Sequence, residues 1–169
     1  MRAAVVTLSF LMVSCGYHVG GRADLLPRDV KTIAIPTFNN LTSRYRLSDR
    51  LAEAIAREFT SRTRYRVVAD PGEADAVLRG AVVNLIKFPT IFDQRTGRAS
   101  GVQFSLYLQL TLVDNRSGKV LFQRPNMEIR ERYEISTDQL AYFEESDVAL
   151  ERVSRDVART VVSAVLEAF

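Results

Sequence analysis

The sequence predicts an α+β fold in which two helices pack on one face of a mixed, mostly antiparallel β-sheet. One observation behind this prediction is a strand from Val102 to Leu112 in which apolar and polar residues alternate strictly. Such alternation indicates one buried and one solvated sheet face. The other observation is a pair of amphipathic segments, each with one apolar stripe at helical spacing. The predicted element order is β-α-β-β-β-β-α, and this order favours a two-layer sandwich.

The first half of the chain predicts a strand, a helix and a second strand. Val30 to Ile35 is rich in β-branched and apolar residues, and Pro36 ends it. The helix from about Arg46 to Arg62 repeats its apolar residues at every fourth position. Those residues are Leu47, Leu51, Ile55 and Phe59. Tyr65 to Ala69 is a short strand before the turn Asp70-Pro71-Gly72. This order indicates a βαβ crossover.

The next part predicts three strands joined by polar connections. The first strand extends from Ala76 to Phe88, and the segment from Pro89 to Gly101 is predicted as a polar loop with a turn at Thr96-Gly97. After the alternating strand, the turn Asn115–Gly118 leads into a strand from Lys119 to Ile135. Its apolar positions change phase around Pro125, which predicts a bulge or an edge position. We expect Tyr107 and Tyr133 on the exposed sheet face.

The chain closes with a predicted helix. Residues 136–145 form a polar connection, Ser146 caps the helix, and the helix continues to about Ala168. Glu144, Glu145 and Asp147 complement the helix dipole at its N-terminus. A catalytic carboxylate pair is the alternative interpretation of these acids, but no neighbouring residue completes such a site.

Composition limits the possible classes of protein. With 169 residues and 47% hydrophobic content, the chain is long enough for one domain with a real core. Removal of residues 1–14, which include Arg2, leaves 22 of the 23 basic residues against 20 acidic ones, a net charge of +2. This weak balance does not indicate nucleic-acid binding. A single cysteine excludes an intramolecular disulfide, so packing must hold the domain together.

The N-terminal residues have the features of a lipoprotein signal peptide. Met1-Arg2 is positive, and Ala3 to Val13 is an apolar run that is shorter than the roughly 20 residues of a transmembrane helix. Ser14 precedes Cys15, the only cysteine, in an arrangement that resembles a lipobox although Met12 stands where Leu is usual. We therefore predict a signal peptide over residues 1–14, lipidation at Cys15, a lipidated tether over residues 15–28 and a single domain over residues 29–169. An unmodified cysteine is the alternative.

These features together resemble the lipopolysaccharide-assembly lipoprotein family LptE. The start Cys15-Gly16-Tyr17-His18 is the most specific part, and Lys31 to Pro36 with the long central hairpin extends the likeness over the whole chain. A less specific part is shared with other envelope lipoproteins. It is a strand that ends in Pro-x-Phe, then a helix, then Ala-Asp-x-x-Leu-x-Gly, which here is Ala74 to Gly80.

The resemblance implies a function without catalysis. Proteins of this family plug the lumen of the outer-membrane β-barrel LptD in a one-to-one complex, help it assemble and help deliver lipopolysaccharide to the outer leaflet. We expect the same here, with a lipid anchor on the periplasmic side of the outer membrane and neither a cofactor nor a nucleic-acid partner. The absence of Asp after Cys15 favours the outer membrane by the sorting pattern of such lipoproteins.

The resemblance also implies basic residues that bind lipopolysaccharide near one end of the sheet. Arg95 falls where one such family arginine lies, and we add its neighbour Arg98 because a guanidinium suits phosphate. A second basic position of the family corresponds to Tyr142, which is a departure from the family pattern. The alternative is that Arg95 and Arg98 only make the loop soluble.

Two other functional classes compete with this interpretation. One is a different envelope lipoprotein with a similar core that forms part of a secretion or curli-like pore, for which homo-oligomeric rings would speak. The other is an enzyme. An enzyme is disfavoured because His18, the only histidine, lacks a triad context, and because the sequence has no Gly-rich phosphate loop and no metal-spaced cluster.

Overall fold

A computed structural model describes residues 26–95, 97–134 and 139–169, with the backbone alone for Tyr45 and residues 139–149. Six strands and two helices follow one another in this part of the chain. They are β1 (Thr32–Ala34), β2 (Asn39–Asn40), α1 (Tyr45–Arg62), β3 (Arg66–Val68), β4 (Ala76–Phe92), β5 (Ala99–Asp114), β6 (Val120–Glu134) and α2 (Gln139–Leu166). A short 3-10 helix, Pro71–Glu73, joins β3 to β4. The predicted fold class is confirmed, and the two-residue strand β2 is added to it.

The sheet is mixed, with its parallel part at one side. β1 lies between β3 and β4 and is parallel to both, as the predicted βαβ connection requires. β2 continues along the same edge of β4, where Asn39 is opposite Ala81. β4, β5 and β6 form a long antiparallel meander, so most of the paired residues are antiparallel.

Both helices pack on one face of this sheet. The predicted stripe of α1 is fully buried at Leu47, Leu51, Ile55 and Phe59. The even-numbered residues of β5 from Val102 to Leu112 are buried beneath the helices, and Val153, Val157 and Val161 contribute the stripe of α2. Full burial of one such side chain stabilises the fold by about 1.5–3 kcal/mol. None of the helices that the structure describes combines the length and the apolar character needed to cross a membrane.

The pattern shared with other envelope lipoproteins has a packing reason. Phe38 is 2% exposed, and its ring occupies the space directly next to Gly80 of β4. A Cβ atom added at Gly80 would lie 2.5 Å from ring carbons of Phe38, closer than any real contact. Gly80 is therefore required because a ring from the loop before α1 occupies the space of its side chain.

The boundary of the long hairpin differs from the prediction. The polar loop predicted from Pro89 to Gly101 is wrong, because β4 continues to Phe92 and β5 begins at Ala99. Pro89 lies within the strand, opposite Val102. Proline is tolerated there because, among the described residues, no strand pairs with the other edge of β4 beyond Val82.

The start of the last helix also differs. α2 begins at Gln139, so Ser146 lies inside the helix and does not cap it. Residues 139–145 of the predicted polar connection are therefore helical, and residues 136–138 lie outside the described part of the chain. The sequence from Gln139 to Glu145 contains Leu, Ala, Glu and Gln, which are strong helix formers, and their propensity extends the helix beyond the serine.

The change of phase in β6 is confirmed as both a bulge and an edge. Leu108 is opposite Met127 and Leu110 is opposite Arg124, so two residues of β6, Pro125 and Asn126, replace one of β5. β6 is also the last strand in the sheet order. Proline is accommodated at such an edge because no further strand needs its missing N–H.

Candidate functional site

The turn between β4 and β5 is closed by Asp93. Its N–H donates to the carbonyl oxygen of Arg98 at 2.8 Å, and its own carbonyl oxygen accepts a hydrogen bond from the N–H of Gly97 at 2.8 Å. Its Oδ1 accepts a third bond, from the N–H of Arg95 at 3.1 Å. Gly97 has a φ of +68°, a left-handed conformation that glycine adopts without steric cost. The predicted turn at Gly97 is therefore confirmed.

Arg95 and Arg98 both lie in this turn, and both are exposed. The structure brings the two predicted ligand residues together at one end of the sheet. Among the described residues, no side chain pairs with the guanidinium of Arg95. A guanidinium in solvent can present its fork of donors to a phosphate group, so the turn offers a site for an anionic ligand.

Three apolar side chains lie just before this turn. Phe88, Ile91 and Phe92 are 49%, 50% and 57% exposed. Phe88 is opposite Gln103 and Ile91 is opposite Gly101. The sequence did not predict this exposed cluster, because the strand was expected to end at Phe88 and the rest to form a polar loop. The signal was the pair Ile91-Phe92, which is apolar within that predicted loop.

The uncovered face of the sheet carries a polar network on β5 and β6. The hydroxyl of Tyr107 donates to Glu128 at 2.8 Å, and Arg130 donates to both oxygens of Glu128 at 2.7 and 2.9 Å. The Arg130 guanidinium holds the pKa of Glu128 below its usual value, and the Glu128 carboxylate raises the pKa of Tyr107. The predicted exposure of Tyr107 on this face is confirmed.

The predicted exposure of Tyr133 is wrong. Its ring contacts Phe104 on the helix-covered face, edge to face with 6.0 Å between centroids. Its hydroxyl donates to Asp156 of α2 at 2.8 Å. Burial, followed by the bond to Asp156, raises the pKa of Tyr133. Tyr133 therefore joins the edge strand to the helix, because the phase change at Pro125 turns the later odd positions of β6 inward.

The turn at the other end of β5 has the same design. Residues 93–98 read Asp-Gln-Arg-Thr-Gly-Arg and residues 114–119 read Asp-Asn-Arg-Ser-Gly-Lys. In the second turn the Asp114 N–H donates to the carbonyl of Lys119 at 2.9 Å, and Gly118 has a φ of +70°. The arginine of this second turn, Arg116, forms an ion pair with Asp75 at 2.8 Å. The repeated pattern was the sequence signal for two equivalent turns.

The sequence model of the LptE family, described as lipopolysaccharide-assembly, matches residues 30–165. The chain belongs to the LptE family. Membership identifies it as a lipopolysaccharide-assembly lipoprotein of the cell envelope, in a family that does not act by catalysis. No curated protein matches the chain.

Solved structures resemble the fold of this LptE-family protein. One is the solution structure of an uncharacterized lipoprotein B from Nitrosomonas europaea, with 16% identity and a TM-score of 0.53, which covers 90% of this chain and 96% of the other. Another is a PelC variant dodecamer from Paraburkholderia phytofirmans, with 16% identity and a TM-score of 0.52, over 83% and 91%. At these identities the likeness concerns the fold alone.

The remaining predicted positions cannot be placed. Cys15 and His18 lie outside the described residues, as does the side chain of Tyr142. Within the part of the chain that the structure describes, no group of three or more histidine, cysteine or acidic side chains could hold a metal ion.

Proposed function

We propose that this LptE-family protein is anchored through Cys15 to the periplasmic side of the outer membrane. There it plugs the lumen of an LptD-type β-barrel in a one-to-one complex, assists the assembly of that barrel and helps deliver lipopolysaccharide to the outer leaflet. The observation that carries the proposal is the family match over residues 30–165. The signal-peptide features before Cys15 support the anchor.

The architecture supports a role in which a rigid sheet presents a ligand-binding turn at one of its ends. A rigid antiparallel meander holds the turn of Asp93 to Arg98 away from the parallel part of the sheet. A loop on a rigid scaffold can reach a ligand while the sheet keeps its shape. We propose that Arg95 and Arg98 bind the phosphates of lipopolysaccharide through charge-assisted hydrogen bonds.

Purification from solubilised outer membranes tests the partner. We expect a one-to-one complex with a large barrel protein that survives high salt, because insertion into a barrel lumen would bury apolar surface, whose contacts salt does not screen. A ring of identical subunits without a barrel would contradict the proposal. It would instead favour the pore-component alternative, since a protein with a similar fold forms a dodecamer.

Charge reversal at the turn tests the ligand site. We expect Arg95→Asp with Arg98→Asp to weaken lipopolysaccharide binding by tenfold or more, because two favourable contacts become repulsive. The thermal midpoint should stay nearly unchanged, since both side chains are exposed. Lys119→Asp is the matched control, because Lys119 occupies the same position in the equivalent turn at the other end of β5. Equal binding by all three proteins would remove the site.

A further inference from the structure

Three apolar side chains beside the arginine turn are not explained by the packing of the fold. Phe88, Ile91 and Phe92 are each about half exposed, and we name them the apolar strip. The other large apolar side chains that are exposed among the described residues are separated from one another along the chain. They are Leu41, Val120 and Phe169. Clustered apolar residues on a surface mark a contact with another molecule.

The apolar strip lies on a stretch of β4 with a free edge. β2 pairs with β4 only at Ala81 and Val82, and no described strand pairs with that edge further along. No neighbouring strand therefore covers the strip from this side. Gly101 of β5 is opposite Ile91 and leaves room for its side chain. A Cβ atom added at Gly101 would lie only 3.0–3.1 Å from side-chain atoms of Ile91.

The strip is continuous in sequence with the cationic turn. Phe92 directly precedes Asp93, and the strip reaches back four residues to Phe88, about 13 Å at the rise of a strand. A ligand that contacts both surfaces must carry anionic groups directly beside hydrocarbon. A phosphorylated, acylated sugar such as the lipid moiety of lipopolysaccharide has this chemistry. A purely anionic ligand would leave the strip in water.

We infer that the apolar strip binds acyl chains of the same lipopolysaccharide molecule whose phosphates bind Arg95 and Arg98. This inference rests on the proposed function and adds a hydrocarbon subsite to it. The turn supplies charge-assisted hydrogen bonds, and the strip removes acyl surface from water. A preference for lipopolysaccharide over other anionic molecules requires both elements, because many molecules of the envelope carry phosphates.

The test compares three full-length proteins on two ligands. The proteins are the wild type, the triple variant Phe88→Ser with Ile91→Ser and Phe92→Ser, and the control Val120→Ser, whose side chain is 48% exposed at the other end of the sheet. The ligands are complete lipopolysaccharide and lipopolysaccharide stripped of its acyl chains. We expect the wild type and the control to bind the complete ligand at least about tenfold more tightly than the stripped one. The triple variant should lose this preference.

Several results would overturn the inference. One is a triple variant that keeps the wild-type preference; another is a wild type that has none. Equal affinity of the wild type for phosphatidylglycerol vesicles and for lipopolysaccharide would assign the strip to a membrane surface. Self-association that only the triple variant loses would assign the strip to a second copy of the chain. The single variant Phe92→Ser replaces the triple one if the thermal midpoint shows that the latter is unfolded.

Failure of this inference can be told apart from failure of the proposed function. If the strip variant binds as the wild type does while the double aspartate variant loses binding, the arginine site stands and the acyl subsite falls. If the double aspartate variant binds both ligands normally, the proposed site at Arg95 and Arg98 fails. If the wild type forms no complex with a barrel protein, the proposed function as a whole fails.

Discussion

The two turns that flank β5 have almost the same local sequence and backbone, yet they differ in what surrounds them. In the turn after β5, Arg116 forms an ion pair with Asp75. In the turn before β5, no described side chain pairs with Arg95. Arg116 therefore joins its turn to the beginning of β4, whereas Arg95 is left in solvent. This difference shows that a similar motif joins distant parts of the fold at one end of the strand and leaves the arginine exposed at the other.

We name the turn of Asp114 to Lys119 the base turn and the turn of Asp93 to Arg98 the tip. The base turn is joined to the parallel part of the sheet through Asp75. The Oδ2 of Asp75 accepts hydrogen bonds from the N–H of Lys31 at 2.9 Å and from the N–H and hydroxyl of Thr32 at 3.0 and 2.9 Å. The side-chain amide of Asn115 also donates to the carbonyls of Pro71 and Ala74. These bonds join three separate segments of the chain.

Removal of the Asp75 carboxylate, which holds the base turn, should produce the largest loss of stability. We expect Asp75→Ala to lower the free energy of unfolding by about 2 kcal/mol or more, because two backbone donors and a hydroxyl lose a charged partner. Urea denaturation measures the change. Glu73→Ala is the control, since it removes the same charge two residues away from an exposed site. Equal midpoints for the two variants would contradict the assigned role of Asp75.

Acid should remove the stability that the carboxylates of Asp75 and Asp114 contribute. The Lys31 N–H, helped by Thr32 and Arg116, holds the pKa of Asp75 below its ordinary value of 3.8, and the Ser117 N–H lowers the pKa of Asp114. A depressed pKa contributes stability that is fully present above the ordinary value and is lost as the pH falls through the folded value. Unfolding free energies measured from pH 7 to pH 2 should therefore decline below about pH 4.

A variant in which the carboxylates of Asp75 and Asp114 are replaced by amides, which do not titrate, tests this pH dependence. Asp75→Asn with Asp114→Asn should be less stable at pH 7 and should show a shallower decline below pH 4. A decline as steep as that of the wild type would assign the acid sensitivity to other carboxylates.

The two aspartates that close the turns should also differ in how much they stabilise the protein, and Asp114 should contribute more than Asp93. Asp114 is 8% exposed, and its Oδ1 accepts bonds from the N–H of Arg116, the N–H of Ser117 and the hydroxyl of Ser117. Asp93 is only partly buried, and its Oδ1 accepts a bond from the N–H of Arg95. Asp114→Ala should therefore lower the thermal midpoint more than Asp93→Ala. The reverse order would show that the tip is the more constrained turn.

The smallest expected effect concerns the arginines themselves. Arg116 is 71% exposed at its side chain, and solvent-exposed ion pairs contribute less than about 1 kcal/mol. Arg116→Ala should lower the unfolding free energy slightly, and Arg95→Ala should leave it unchanged. High salt should reduce the difference between the two variants by screening the pair with Asp75. A larger loss for Arg95→Ala would contradict the assignment of the tip arginine to binding.

The fold was predictable because its patterns are local. The alternation of Val102 to Leu112 and the stripe of Leu47 to Phe59 each report one buried face, and together they indicate helices on one side of a sheet. The errors were local as well. Pro89 and Ser146 were read as signals that end or begin an element, but a free strand edge accommodates the proline and helix-forming neighbours extend the helix past the serine.

The candidate site was predictable only in part. The resemblance placed Arg95 before the alternating strand, Arg98 was added as its basic neighbour, and both lie in one turn of the structure. The apolar strip of Phe88, Ile91 and Phe92 was missed, because an apolar residue in a strand is normally buried and its exposure depends on which strands pair beside it.

The sequence by itself determined the periodicity of burial, and with it the two-layer architecture and the family, because these depend on residues close together along the chain. Only the tertiary structure decided the roles of the two turn arginines. Arg116 and Asp75 are 41 positions apart, and only the pairing of β4 with β5 brings them within 2.8 Å. The same pairing carries Arg95 to the far end of the hairpin, away from that carboxylate, where its side chain is exposed.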